Sequence, residues 1–256
     1  MKFSALIIGD EILRGKRTDR HFAKMVELLS ARGLYLSRAE YVGDDRTGLV
    51  EVLRRSFAQG GAVFCFGGIG STPDDNTRQA AAEALGLKLV RHADAITLIE
   101  AAMQRRYGRA ASPQQLQMGE FPEGAQLLPN SYNTIPGFSI RDHHFMPGFP
   151  VMAHPMAEWV LDHHYAHLHH SLSERELSVY VYGIPESAAT PLMIEAESRY
   201  PGVRVFSLPY VGKDVRRHIE LGVRGEPAQA EAAMKLLREG VLALGATCED
   251  EAPTRT

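Results

Sequence analysis

The chain has 256 residues, 45% hydrophobic and 23% charged, which is ordinary globular usage and excludes a disordered, collagenous or low-complexity protein. Its 28 Lys and Arg against 31 Asp and Glu give a formal net charge of −3, so the basic excess of a general nucleic-acid binder is missing. No run approaches the ~20 apolar residues that span a bilayer, and Cys65 and Cys248 lie too far apart to suggest a disulfide framework.

Phe3 to Ile8 reads as a buried strand. It is a short apolar run ended by Gly9-Asp10-Glu11 without a small-residue cleavage site, so the expectation is a cytoplasmic protein with neither a membrane nor a nucleic-acid partner. Thr18 to Ala31 then carries Phe22, Met25, Val26, Leu28 and Leu29 at helical spacing, with Gly33 just beyond. Leu34 to Val42 reads as a second strand. Asp44 or Asp45 can cap the next helix, which stops at Gly60-Gly61. Ala62-Val63-Phe64-Cys65-Phe66 is a continuous apolar run, as in a central parallel strand covered on both faces. It enters Gly67-Gly68-Ile69-Gly70-Ser71-Thr72-Pro73, and a helix follows over about Asp74 to Leu85. This alternation predicts right-handed crossovers, a parallel sheet, and a ligand at the carboxyl ends of its strands.

The middle is less regular. Helices are predicted over Ala93 to Tyr107 and Pro113 to Met118, Phe121 to Arg141 is rich in turn residues, and Phe145 to Pro150 is a second punctuation. Ala153 to Leu168 reads as a helix and His169 to Arg175 as a linker. Strand, helix, two strands and a helix follow, over Leu177–Tyr182, Ala188–Arg199, Val203–Leu208, His218–Val223 and Pro227–Leu244, with a polar tail from Glu249. The expected architecture is a three-layer α/β/α domain with a mostly parallel sheet over 1–170 and a small α+β domain over 171–256. Lys213, Arg216 and Arg217 read as a solvated turn, with phosphate contact as the alternative.

The glycine loop carries the main chemical signal. Glycines let the backbone approach a ligand, and free amides at a helix start favour an anion such as phosphate. Asp74-Asp75 complicates this, because a carboxylate ~4 Å from a phosphate repels it by about 4 kcal/mol at an effective dielectric near 20. A helix N-terminus returns only ~0.3–2 kcal/mol. Either the two acids sit harmlessly in the first helical turn, or a divalent cation such as Mg²⁺ lies between them and the phosphate. Asp10 and Glu11 emerge at the same sheet edge, and Arg14, Lys16, Arg17 and Arg20 can neutralise phosphate or be a solvated loop. His163, His164 and His167 read as a solvated helix end, and Cys65 as a packing residue.

Gly9-Asp10-Glu11-Ile12-Leu13-x-Gly15, Val42-Gly43-Asp44-Asp45, Gly67-Gly68-Ile69-Gly70-x-Thr72-x-Asp74-Asp75-x-Thr77 and Pro147-Gly148-x-Pro150 together resemble the molybdopterin-binding (MoCF) domain in its CinA-like branch. The resemblance covers about residues 3 to 168, and residues 175 to 245 are similar to the small α+β segment that follows it. The C-terminal deamidase domain of full-length CinA proteins has no room here, so that activity is not carried over. The resemblance implies a pocket for a pterin or a nucleoside diphosphate, divalent-metal-dependent ADP-ribose pyrophosphatase activity, and a homo-oligomer. By position, Asp10, Glu11 and Gly148 line the pocket. Gly67, Gly68, Gly70, Ser71 and Thr72 hold phosphate, and Asp74 and Asp75 serve as catalytic residues and metal ligands. Ser71 stands where the family usually has Pro, Gln79 where Glu is frequent, His21 where Asn is common, and Val151-Met152-Ala153 where a Ser-Glu-Met run is usual. The leading expectation is therefore an enzyme, a metal-dependent hydrolase of a nucleoside diphosphate sugar. The alternatives are a molybdopterin nucleotide transferase of molybdenum cofactor biosynthesis and a non-catalytic binder of pterin or nucleotide.

Overall fold

Strand β1, Phe3–Ile8, sends Phe3, Ala5 and Ile7 to one side and Leu6 and Ile8 to the other, and all five are buried. A strand that is apolar on both faces needs a layer of helices above and below it. In the computed structural model, residues 1–171, 174–212 and 215–253 are described, in two compact units, Met1–Ser171 and Leu172–Thr256. Leu172 and Ser173 of the expected linker, and Lys213, lie outside the described residues.

The first unit continues with α1 (Asp10–Leu13), α2 (His21–Ser30), β2 (Leu36–Val42), α3 (Arg46–Gln59), β3 (Ala62–Phe66) and α4 (Thr77–Leu85). Next come β4 (Leu89–Arg91), α5 (Ala93–Tyr107), α6 (Pro113–Leu116) and β5 (Glu120–Pro122). It closes with β6 (Gln126–Leu128), β7 (Gly137–Ile140), β8 (His143–Met146) and α7 (Pro150–His164). The six-stranded sheet has the order β2-β1-β3-β8-β7-β6. β2, β1, β3 and β8 run parallel, and β7 and β6 add antiparallel. Met25, Leu28 and Leu29 of α2 and Ala157, Val160 and Leu161 of α7 cover one face. Leu49 and Leu53 of α3, Ala80 and Ala81 of α4 and Ala95 of α5 cover the other. This is the expected three-layer fold. The chain leaves β1 for β2 on one side and reaches β3 on the other, so the carboxyl ends of β1 and β3 form a switch point, where such sheets open a crevice.

Several elements differ from the sequence expectation. α2 starts at His21 rather than Thr18, because Asp19 turns back to accept the His21 and Phe22 amides at 2.8 and 3.0 Å. Burial pushes the Asp19 carboxyl up, but those two bonds and one from Tyr41 Oη hold it below its usual value. α4 starts at Thr77 rather than Asp74, since residues 72–75 are tied into a turn of their own. α7 starts at Pro150, where a proline costs no helical hydrogen bond. Of the two expected cap candidates for α3, Asp45 fills the role, accepting the Gly48 amide at 2.9 Å. The turn-rich stretch and the residues just after it hide β6, β7 and β8, three strands of three or four residues each.

At the amino end of β8, away from the crevice, two buried histidines hold a polar network. His143 Nε2 meets Ser56 Oγ at 2.8 Å, and His144 bridges Ser139 Oγ and Tyr165 Oη, both at 2.8 Å. Burial pushes His143 down to about 4 and His144 down to about 3. Cys65 packs with no exposure, and its thiol is pushed up by burial, as a packing role requires.

The second unit comprises β9 (Arg175–Tyr182), α8 (Glu186–Arg199), β10 (Arg204–Tyr210), β11 (His218–Gly225), α9 (Pro227–Ala243) and β12 (Thr247–Glu249). Its antiparallel sheet has the order β10-β11-β9-β12. Val179, Val181, Ile219, Leu221 and Val223 pack under α8 and α9. β12 was hidden in the polar end of the sequence and pairs with β9 at Tyr180 to Tyr182. Arg216 lies over the Tyr182 ring at 4.4 Å, which gives it a packing role. Among the described residues no helix is long and apolar enough to cross a membrane.

Candidate functional site

The ends of β1, β3 and β8 surround a cleft of about 730 Å³. Its floor is main chain. Gly67 has φ +108°, and a Cβ there would collide with the Ile8 carbonyl, so the two strand ends approach only because this residue has no side chain. Gly68 has φ +70°, and its missing Cβ makes room for Thr77 Oγ1.

The loop carbonyls are drawn toward the start of α4. Gly67 O accepts from Thr77 Oγ1 at 3.0 Å, Gly68 O from the Thr77 amide at 3.0 Å, and Gly70 O from Arg78 Nη2 at 2.6 Å. In a planar trans peptide the N–H of the next residue points opposite to the carbonyl. The amides of Gly68, Ile69 and Ser71 therefore turn away from α4, and all three residues border the cleft. Among the described residues they donate to no protein acceptor. His21 repeats the device across the cleft. Its Nε2 donates to Gly148 O at 3.2 Å, which turns the Phe149 amide the other way. His21 is buried and stacked on Phe66 at 4.4 Å, and burial lowers its pKa against the pull of Gly148 O, so it is neutral near pH 7.

Of the residues expected at the site, Gly67, Gly68, Gly70, Ser71, Thr72, Asp74, Asp75, Glu11 and Gly148 all border the cleft. Asp10 does not. On the single turn of α1, consecutive residues point ~100° apart, and Asp10 forks with Arg14 at 2.6 and 3.0 Å instead. The divalent cation expected between Asp74 and Asp75 finds no support. Asp75 Oδ2 is spent inside the loop, accepting the Thr72 amide at 2.8 Å and Thr72 Oγ1 at 2.5 Å. Among the described residues no three His, Cys, Asp or Glu side chains gather as metal ligands. Lys16 and Arg17 reach the cleft, while Arg14 is held by Asp10.

Sequence reasoning missed Asn130, Asn133, Met118 and Ile135, which border the cleft with Met152. Asn130 is buried and holds the strand-connecting loop, donating to Asn133 Oδ1 at 2.8 Å and Ile135 O at 3.0 Å. Asn133 Nδ2 reaches only Met152 Sδ, at 3.7 Å, a weak acceptor that leaves the amide available. Asn-x-x-Asn ahead of Pro136-Gly137 was the available signal, and it reads equally well as a plain turn. Taken together, the cleft offers outward main-chain amides, two basic side chains, an acidic rim of Glu11, Asp44, Asp74 and Asp75, and an apolar patch of Ile69, Met118, Ile135 and Met152. This donor set fits a ligand with a planar ring and a phosphate.

The sequence profile of the "Probable molybdopterin binding domain" matches residues 4–167. A CinA-like protein of Anaeromyxobacter dehalogenans strain 2CP-C is 32% identical over 253 residues, 95% of this chain and 60% of that protein. Protein PAE0875 of Pyrobaculum aerophilum is 30% identical over 200 residues, 74% of this chain and 73% of its own length. The crystal structure of the protein CinA, of unknown function, from Thermoplasma acidophilum superposes with a TM-score of 0.56 at 25% identity, over 63% of this chain and 98% of that one. This chain thus spans about 60% of the length of the CinA-like relative. These matches overturn the ADP-ribose pyrophosphatase expectation, since the matched family is one of molybdopterin binding and the alternative in molybdenum cofactor biosynthesis fits it better. With the profile covering well over half of its length, the chain belongs to the probable molybdopterin binding domain family.

Proposed function

We propose that the cleft binds a phosphate-bearing pterin of the molybdopterin type, or its nucleotide-linked form, and that the protein acts in molybdenum cofactor biosynthesis. The observation that carries this reading is the polarity of the glycine loop. Three carbonyls are bonded back toward α4, which turns three unpaired amides the other way, in residues that border a cleft with an apolar patch. Amides held in this way stabilise negative charge without reorganising, which is what a phosphate-binding or phosphoryl-transferring site requires. Gly68, Ile69 and Ser71 would hold the phosphate, Lys16 and Arg17 would draw it in, and Ile69, Met118, Ile135 and Met152 would cover the ring. Glu11, Asp74 and Asp75 would bear on any group transferred. Assembly into a homo-oligomer belongs to the same proposal and is read by sedimentation velocity.

The test is complementation of strains blocked at single steps of molybdenum cofactor synthesis, together with calorimetric titration of the purified protein with molybdopterin. Restored molybdoenzyme activity supports a transferase or insertion role. Failure of both rescue and binding would sink the proposal. A second reading, a binder without turnover, is favoured by two observations. Met152 occupies a cleft position at which the resembling family carries Glu, and Asp75 is bonded to Thr72. Tight binding without rescue at any step selects it.

A further inference from the structure

The first unit buries a guanidinium that no ion pair explains. Arg78, the second residue of α4, is 2% exposed. Its Nη1 donates to the Gln117 carbonyl and its Nη2 to the Gly70 carbonyl, while Nε is buried with no partner. Asp75 and Glu120 attract it only through space, and each is engaged elsewhere, Asp75 with Thr72 and Glu120 with Arg91. Burial, the larger effect, lowers the Arg78 pKa, yet a guanidinium remains charged at any physiological pH. Removing such a charge from water is costly unless an anion compensates it. Among the described residues only those two engaged carboxylates offset it, without contact, and its Nη2 holds the Gly70 carbonyl of the loop that borders the cleft.

We propose that Arg78 is a positioning residue for a phosphate-bearing ligand. It clamps the Gly70–Ser71 peptide so that the Ser71 amide faces the cleft. From beneath the loop it also supplies the positive charge that the acidic rim of Glu11, Asp44, Asp74 and Asp75 would otherwise deny an anion. The cation that the acidic motif calls for is in this way part of the chain. This inference rests on the phosphate-holding reading of the loop.

The probe is inorganic pyrophosphate, titrated calorimetrically into the full chain and two variants whose folding is checked by urea unfolding. Arg78→Gln keeps a carbonyl donor without the charge, and we expect it to bind at least about tenfold more weakly than wild type. Arg78→Lys keeps the charge on a group whose pKa burial lowers. We expect its affinity relative to wild type to fall at least about fivefold from pH 7 to 9.5 as that charge is lost. The stability of the ligand-free Arg78→Lys protein should hold or rise over the same range. An amine with a lowered folded-state pKa destabilises most at low pH, and the penalty is relieved as pH rises. Opposite trends in binding and stability are something a purely structural role does not produce. Wild-type protein that fails to bind pyrophosphate sinks the phosphate-cleft reading itself. Wild-type binding matched by both variants at every pH sinks only the role of Arg78. If neither variant folds, the Arg78 Nε–H resonance of the wild-type protein decides. Movement on adding pyrophosphate supports the proposal, and no movement overturns it.

Discussion

Replacing Thr77 by Val tests the central claim about the loop. Thr77 has no exposure, and its Oγ1 bonds the Gly67 carbonyl at 3.0 Å. Valine has nearly the same shape, so the change removes one hydrogen bond and leaves a buried carbonyl without its partner. That costs about 1–3 kcal/mol. For a unit of this size, about 2 kcal/mol lowers the unfolding midpoint by roughly 4–8 °C. The freed carbonyl rotates its peptide, and the Gly68 amide leaves the cleft with it. Losing one of three aligned donors to an anion should weaken pyrophosphate binding about tenfold, near 1.4 kcal/mol. Thr77→Ser keeps the hydroxyl and should retain most of both properties. Urea unfolding reads the first quantity and calorimetry the second. A Thr77→Val protein with wild-type stability and wild-type affinity would refute the claim that this hydroxyl orients the loop.

Gly68→Ala should be worse than Thr77→Val on both measures, because it adds strain at φ +70° to a clash with Thr77 Oγ1, together about 2–5 kcal/mol. Lys16→Gln with Arg17→Gln should reduce the salt dependence of pyrophosphate binding while leaving the unfolding midpoint nearly unchanged; an unaltered salt slope would remove those two side chains from the site. Acidification should destabilise the first unit through His143 and His144. Their folded pKa values lie below the unfolded value of 6.5, so their contribution is full above that value and is lost as pH falls toward about 4 and about 3. Between pH 7.5 and 5 the loss is about 2 kcal/mol for each histidine, and a flat denaturation midpoint over that range would contradict their burial as neutral groups.

The parts of the fold that were legible in the sequence are those with one dominant signal. Ala62 to Phe66 could only be a central strand, since five consecutive apolar residues ended by Gly67-Gly68 leave no exposed face. β6, β7 and β8 were hidden because strands of three or four residues set among Pro122, Pro129, Pro136 and Pro147 contain more turn chemistry than pattern. At the site, the glycine loop was legible by composition and the direction of its peptides was not, because that depends on where Thr77 and Arg78 reach. Arg78 was passed over since a charged residue on a helix ordinarily faces water. Adjacent acids such as Asp10 and Glu11 read as a pair in the sequence, whereas one turn of α1 divides them between Arg14 and the cleft.

In the proposed reading the hold on the anion would be made by backbone, which every residue type carries. Substitution along the loop can therefore accumulate so long as Gly67, Gly68, Thr77 and Arg78 keep the peptides aligned. Selectivity among guests would then rest on Met118, Asn133, Ile135 and Met152, which border the cleft from separate segments of chain. One scaffold could in this way exchange the ring it accepts without surrendering its grip on the charge.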